Sequence, residues 1–219
     1  MRSLIYEIGF RPLTMQGYRE VLARQPMGGR FLDVGVATGG SLVRNGQLLR
    51  DRDLTVYGID IDGDYLRTCR KQVEAYGLGD RITVEERSVY DLEEGGFHGA
   101  YFGASFMLMP DPVAAARRVA AALVPGGRIF FTQTFQEVPS TFWERAKPLL
   151  HRVTTIHFGR VTYAPEFLAT LDAAGLDVAD EFMLRHGRER TVRLYETRPR
   201  IGLTPPVPQG AAEGFTDIR

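Results

Sequence analysis

Cysteine occurs once in the 219 residues, at position 69, so the chain has neither the pair needed for an internal disulfide nor the set needed for a cysteine-ligated metal cluster. Cys69 sits in a helical pattern and is expected as a buried or half-buried thiol, which fits a reducing, cytoplasmic compartment. An excess of one charge is also missing. Lysine plus arginine and aspartate plus glutamate number 27 each, so no global field draws the chain to nucleic acid or to an anionic membrane. No apolar run approaches the roughly 20 residues of a membrane span, and Met1 to Glu7 lacks an apolar core of signal-peptide length, so a soluble protein is expected. The four histidines include no pair at H-x-x-x-H spacing, and no metal site is expected.

What the chain does have is alternation. From about residue 30 to 135, short apolar runs alternate with amphipathic stretches, the pattern of a parallel sheet covered by helices on both faces. Arg30 to Val34 reads as a strand and Ser41 to Arg50 as its helix; Leu54 to Asp60 is the second strand. Leu66, Cys69, Val73 and Tyr76 then recur at intervals of three or four, which predicts a helix over Asp64 to Tyr76 ended by Gly77 and Gly79. Arg81 to Glu86 and Gly99 to Phe106 are strands three and four, the latter apolar enough to be central. Asp111-Pro112 opens a helix with an oxygen cap and proline in the first turn, and Pro125-Gly126-Gly127 turns the chain into strand five, Arg128 to Phe135. Helices are expected around Thr141 to Leu150 and from Pro165 to Ala174. Leu176 to Leu184 and Thr191 to Thr197, joined by the polar Arg185 to Arg190, predict an antiparallel hairpin. The expectation is a seven-stranded, mostly parallel, doubly wound α/β sheet with a C-terminal antiparallel hairpin, in three layers αβα. Its parts are an N-terminal helical lid or extension over 1–29, a domain over 30–200, and a poorly ordered tail over 201–219.

Two stretches carry the chemistry: Phe31-Leu-Asp33-Val-Gly35-Val-Ala37-Thr-Gly39-Gly40 and Tyr57-Gly-Ile-Asp60. Small residues closely spaced after a strand let a ligand approach the backbone. An acid at the tip of the next strand can accept hydrogen bonds from ribose hydroxyls. Together they describe a nucleoside site. Dinucleotide binding fits poorly, because the G-x-G-x-x-G pattern gives Gly35, Ala37 and Gly40, with a methyl group where the backbone must meet a pyrophosphate. Asp33 would repel that pyrophosphate, and it would help to hold a cation. The plainer alternatives are a tight strand-to-helix turn for the glycines and a solvated or capping acid for Asp60.

With Asp33, Gly35, Ala37 and Gly39 in the form acid-x-G-x-G-x-G, Asp60, the segment Gly99 to Phe106, and Leu123-Val-Pro-Gly-Gly-Arg-Ile-Phe-Phe, the chain resembles the class I S-adenosylmethionine-dependent methyltransferases over residues 30 to 135. Alanine replaces the family's middle glycine at 37. The resemblance implies S-adenosylmethionine as cofactor, with its methionine part near Asp33, Gly35, Ala37 and Gly39, its ribose on Asp60, and adenine against Ile61, Ser88 and Val89. Ser105 and Phe106 would lie near the sulfonium and the incoming nucleophile.

Methyl transfer from a sulfonium needs alignment and exclusion of water, and a base only when the nucleophile arrives protonated. Candidate catalytic groups are His157, which titrates near neutrality, and Ser105. Candidate acceptor contacts are Tyr6, Phe10 and Arg11, where the family often adds a lid that would also include Tyr18, together with Met107, Gln133 and Phe135. The basic run Arg185, His186, Arg188, Arg190 and Arg193 reads first as a solvated turn and second as a holder for an anionic small substrate. The expected function is methyl transfer to a small-molecule acceptor, without nucleic-acid or membrane partners. Two alternatives stand beside it: an NAD(P)-dependent oxidoreductase, and a non-catalytic S-adenosylmethionine-binding regulatory subunit.

Overall fold

The computed structural model describes residues 2–137 and 162–200, with side chains from Leu13 onward. The sequence-predicted helix at Thr141 to Leu150, His157 and the tail 201–219 lie outside the described residues. The elements in order are α1 (Arg2–Ala23), β1 (Arg30–Val34), α2 (Gly40–Val43), α3 (Gly46–Asp51), β2 (Thr55–Asp60), α4 (Gly63–Ala75) and β3 (Ile82–Glu86). There follow β4 (Phe97–Gly103), α5 (Pro112–Ala121), β5 (Leu123–Gln136), α6 (Ala164–Ala173), β6 (Leu176–His186) and β7 (Arg190–Pro199).

The strands form one sheet in the order β3-β2-β1-β4-β5-β7-β6. The first five run parallel, while β7 pairs antiparallel with both β5 and β6. From β1 the chain winds outward to β2 and β3, then returns to lay β4 on the other side of β1. The β1/β4 junction is therefore the point where the winding reverses, and ligands in open α/β sheets bind beyond the carboxyl ends of the strands there.

Alternation along β1 sorts two different cores. Phe31 faces a cluster with Tyr18, Val21 and Leu22 of α1, Leu42 and Val43 of α2, Leu49 of α3, and Leu66, Cys69 and Val73 of α4. Leu32 and Val34 face the opposite cluster, with Ala115, Ala116 and Val119 of α5 and Phe167 and Leu171 of α6. That second core is aromatic. Phe131 lies flat on Phe102 with centroids 5.1 Å apart, and Phe106 approaches Phe131 at 4.6 Å.

Several boundaries differ from those expected, each for a local reason. The helix predicted over Ser41 to Arg50 is two helices, because Asn45 leaves helical geometry and its side-chain amide donates to the Ser41 carbonyl at 2.9 Å. Strand five begins at Leu123, since Leu123 pairs with Phe97 before the Pro125-Gly126-Gly127 irregularity. Strand four ends at Gly103, not Phe106: Ala104 turns to φ 68°, and its N–H bonds to the carbonyls of Phe102 and Thr132, both at 3.0 Å. Ser105 and Phe106 thus lie past the strand. The cap at Asp111 is the one expected, and Asp62 adds another. Asp62 accepts from the N–H groups of Asp64 and Tyr65 at the start of α4, and Asp111 accepts from Ala114 at the start of α5.

Candidate functional site

The turn from β1 into α2 occupies residues 35–39, and three of its residues have positive φ: Gly35 at 80°, Ala37 at 50° and Gly39 at 68°. Glycine accepts this conformation readily; for alanine it costs about 1–2 kcal/mol. The strain at Ala37 is held in place by its N–H, which donates to Asp60 Oδ2 at 2.9 Å. Gly35 and Val36 also donate to the Ile59 carbonyl, at 2.8 and 3.2 Å. On the other side, a Cβ added to Gly35 would stand 2.8 Å from Ser105 Cβ. The tips of β1, β2 and β4 are therefore stitched together around one backbone loop.

Two acids meet this loop. Asp60, ending β2, accepts from Ala37 through Oδ2 and from the Asp62 N–H through Oδ1 at 3.0 Å. Each oxygen keeps capacity for a further donor. Asp33 is fully buried at 0 % exposure. Its Oδ2 accepts from the Tyr18 hydroxyl at 2.7 Å, and its Oδ1 makes no hydrogen bond. Burial pushes this carboxyl up to about 7; the Tyr18 bond pulls it down and the Asp60 charge pushes it further up. The Tyr18 phenol is itself raised well above its usual range, chiefly by burial, so it is the donor of the pair. The Tyr18 ring meets Tyr101 edge-on at 5.0 Å, and the Tyr101 hydroxyl bonds to Thr132 Oγ1 at 2.7 Å. Helix α1 comes this close because residue 17 is glycine: a Cβ there would lie 2.7 Å from the Tyr101 oxygen.

The remaining expected ligand contacts divide. Ile61 is 77 % exposed directly after Asp60, an apolar surface open for a flat ring. Ser88 accepts from the Tyr90 N–H at 3.3 Å and starts a short helical turn, with Val89 buried behind it. Ser105 donates to the Val34 carbonyl at 2.6 Å, so its proton is committed to joining β4 to β1, and only its lone pairs face other groups. Phe106 and Phe135 are core residues, 1 % exposed and packed on Phe131 and Phe167. Phe135 also meets the Tyr195 ring at 5.9 Å and the Arg193 guanidinium at 5.4 Å. Met107 is half-buried against the same cluster. Gln133 is buried, its amide donating to Thr162 Oγ1 at 3.3 Å while Oε1 makes no hydrogen bond. Tyr6, Phe10 and Arg11 fall on α1. Arg193 is neutralised, donating to Glu137 at 2.6 Å and to Glu181 at 3.0 Å, while Arg190 donates to the uncharged Gln136 at 3.0 Å.

The Tyr18–Asp33 bond and the Tyr101–Thr132 pair were not among the expected ligand contacts. The available signal was a phenol inside an otherwise apolar strand, since a buried tyrosine hydroxyl usually has a partner.

Residues 31–127 match the family model described as a methyltransferase domain, a span that holds the whole loop, both acids and Ser105. Over those residues the chain is similar to that family, and its seven-stranded sheet has the Rossmann-like fold of solved methyltransferases. The chain has relatives among curated proteins: O-methyltransferase cnsE of Penicillium expansum, 28 % identical over 78 % of this chain and 60 % of its own length, and Methyltransferase GfsG of Streptomyces halstedii, 26 % identical over 70 % and 54 %. The chain thus spans little more than half the length of these relatives. Among solved structures, a methyltransferase from Geobacter sulfurreducens in complex with S-adenosylhomocysteine superposes with a TM-score of 0.65 at 16 % identity, covering 86 % of this chain and 91 % of that one. The (4+2)-cyclase SpnF superposes at 0.69 and 19 %, covering 86 % and 82 %. Among the described residues, no group of three or more histidine, cysteine or acidic side chains is placed to hold a metal, and no helix is long and apolar enough to cross a membrane.

Proposed function

We propose that the chain is an S-adenosylmethionine-dependent methyltransferase acting on a small molecule. The observation that carries this reading is the pair of acids at adjacent strand tips, Asp33 and Asp60, around the left-handed turn at Gly35, Ala37 and Gly39. The residues fit the cofactor. Asp60 has acceptor capacity for ribose hydroxyls, Ile61 offers an exposed apolar face for adenine beside Ser88 and Val89, and the open oxygen of Asp33 suits the ammonium of the methionine part. When bound, S-adenosylmethionine supplies an already activated methyl group on a sulfonium.

The chain's own work is then alignment and desolvation. Ser105 ties the β4 tip to β1 and would fix the floor of the site, with Met107 and Gln133 as candidate acceptor contacts. Three of the relatives are named O-methyltransferases, which makes an oxygen acceptor the first class to test. Such an acceptor has to lose a proton, and His157 is the candidate base on its chemistry. Residues 1–29 would form the cover of the site and 30–200 the catalytic domain; the balanced charge and the single cysteine favour a cytoplasmic protein without nucleic-acid partners. The pyrophosphate of NAD(P) is disfavoured by Asp33 and by the methyl group of Ala37.

The test is incubation with methyl-labelled S-adenosylmethionine and a fractionated small-molecule extract. Label should enter one fraction with formation of S-adenosylhomocysteine. Binding without transfer to any fraction would favour a non-catalytic subunit, and tight NAD binding without S-adenosylmethionine binding would remove the reading altogether.

A further inference from the structure

The half of the sheet beyond β4 stands taller than the rest. β4 stops at Gly103, opposite Thr132, whereas β5 runs on to Gln136 and stays paired with β7 as far as Arg190. The four further residues of β5, at about 3.3 Å each, raise this edge roughly 13 Å above the tips of β1 and β4. The turn from His186 to Arg190 crowns the raised strands, on the carboxyl edge where the nucleoside motifs lie. Residues paired across strands share a face, and Arg190 lies opposite Gln136 while Arg185 lies opposite Val192. Alternation along β7 sets Arg190 and Val192 on the side of Leu194, which belongs to the cluster of Tyr18, Val21 and Leu22. Arg185 and Arg190 therefore share the face of α1, as does Asp33 through its Tyr18 bond. Helix α1 descends this face, with Gly17 against Thr132 and Leu184, and Gln25, just past its end, against Gly99. Residues 2–16 precede those contacts and carry the helix about 22 Å beyond the end of β4 on the same side. The first half of α1 and the raised strands thus rise together from the face that holds Asp33.

Charge is uneven on the raised edge. Arg193 takes up Glu137 and Glu181, whereas Arg185, Arg188 and Arg190 are exposed and, among the described residues, none of them meets a carboxylate. Glu189 is the acid of the turn, and His186 lies opposite Thr191, on the other face. In a chain whose charges balance at 27 each, three unneutralised guanidiniums on one rim of the sheet are a local surplus.

We propose that Arg185 and Arg190, with Arg188 at the turn, hold an anionic group of the methyl acceptor, so that the acceptor is a small molecule with a carboxylate or a phosphate at the end remote from its methylated atom. This inference rests on the methyl-donor reading and names the acceptor class for it. Two strand spacings separate β7 from β4 and three separate it from β1, which puts the anion about 10–15 Å from the transferred methyl group. A guanidinium offers paired N–H donors that match two oxygens of either anion. One exposed pair contributes little, so the site depends on several arginines acting on one group. They are specificity-determining residues: they touch the acceptor and leave the methyl donor alone.

The test separates a small-molecule extract on an anion exchanger at pH 7.5 before incubation with the full chain and methyl-labelled S-adenosylmethionine. Label should enter molecules that the exchanger retains. With that fraction, the double variant Arg185→Gln, Arg190→Gln should raise KM by about tenfold or more and change kcat by less than about twofold, as expected when charge-assisted bonds remote from the reacting atoms are lost. The difference in KM should shrink as salt rises. Affinity for S-adenosylhomocysteine, read by calorimetry, should stay at the wild-type value, which also shows that the variant is folded. Label confined to unretained molecules overturns the inference, as does an unchanged KM or label in no fraction from a chain that binds S-adenosylhomocysteine; the methyl-donor site survives each of these. A parallel loss of S-adenosylhomocysteine affinity in the variant makes the arginines structural and overturns it as well. A wild-type chain that does not bind S-adenosylhomocysteine removes the methyl-donor reading, and this inference with it.

Discussion

The two faces of the sheet are built on opposite terms. Against α5 and α6 lies a core of aliphatic residues and alanines around an aromatic centre, in which Phe102, Phe106, Phe131, Phe135 and Phe167 meet at centroid distances of 4.6 to 6.0 Å. Against α1 to α4 the core includes a buried acid with an open oxygen, two phenols, a buried threonine and a thiol, and its edge carries a non-glycine residue in left-handed geometry. The first face buries a phenol oxygen without a hydrogen bond, on Tyr195; the second buries an acid oxygen without one, on Asp33. Leu32 and Asp33, adjacent in β1, point to the two faces, and the division proposed is that the first side holds the fold and the second the ligand.

That division can be broken in four ways. Phe131→Ala removes the ring at the centre of the aromatic face and should cost about 3–5 kcal/mol in chemical denaturation; a loss under about 1 kcal/mol would show that this face does not carry the fold. Asp60→Ala should weaken S-adenosylmethionine binding by roughly 1.5–3 kcal/mol, typical of lost hydrogen bonds to a charged group. The ligand-free melting temperature should fall much less, and a pure stability defect with unchanged affinity would move Asp60 to the structural side.

Asp33→Asn tests the opposite sign. Its carboxyl stands at about 7 in the folded chain against an ordinary 3.8, so the native state binds the extra proton. Its contribution to stability is full below about pH 4 and is lost as pH rises towards 7. The ligand-free variant, whose amide keeps an acceptor for Tyr18, should therefore be more stable than the wild type at pH 7.5 and no more stable at pH 4. A thermal melt at both values checks it, and a destabilised variant at pH 7.5 would contradict the picture of an unpaired buried charge. Ala37→Gly is the smallest effect. Relief of positive φ and the greater freedom of unfolded glycine act against each other, and a change within about 1 kcal/mol is expected by denaturation.

Much of this was legible in the chain. The parallel half was readable because the apolar runs are bounded by punctuation such as Asp111 as a cap and Gly77 as a stop, while the cap at Asp62 emerged only in the structure. The left-handed turn at Gly35, Ala37 and Gly39 was readable because closely spaced small residues after a strand suit that backbone. The aromatic stretch around Phe106 and Phe135 was less so, since a phenylalanine at a strand end looks the same whether it lines an acceptor site or fills a core. Only the neighbours Phe131 and Phe167, distant in sequence, decide it. The Tyr18–Asp33 bond was hidden for the same reason, spanning 15 residues and two elements. The committed proton of Ser105 depended on a left-handed turn at Ala104 that its sequence does not announce.

The most direct test of the central claim is a calorimetric titration of the full chain with S-adenosylmethionine and, separately, with NAD. The account predicts saturable binding of S-adenosylmethionine that is weakened in Asp60→Ala, and no measurable binding of NAD. Tight NAD binding with no response to S-adenosylmethionine would contradict it.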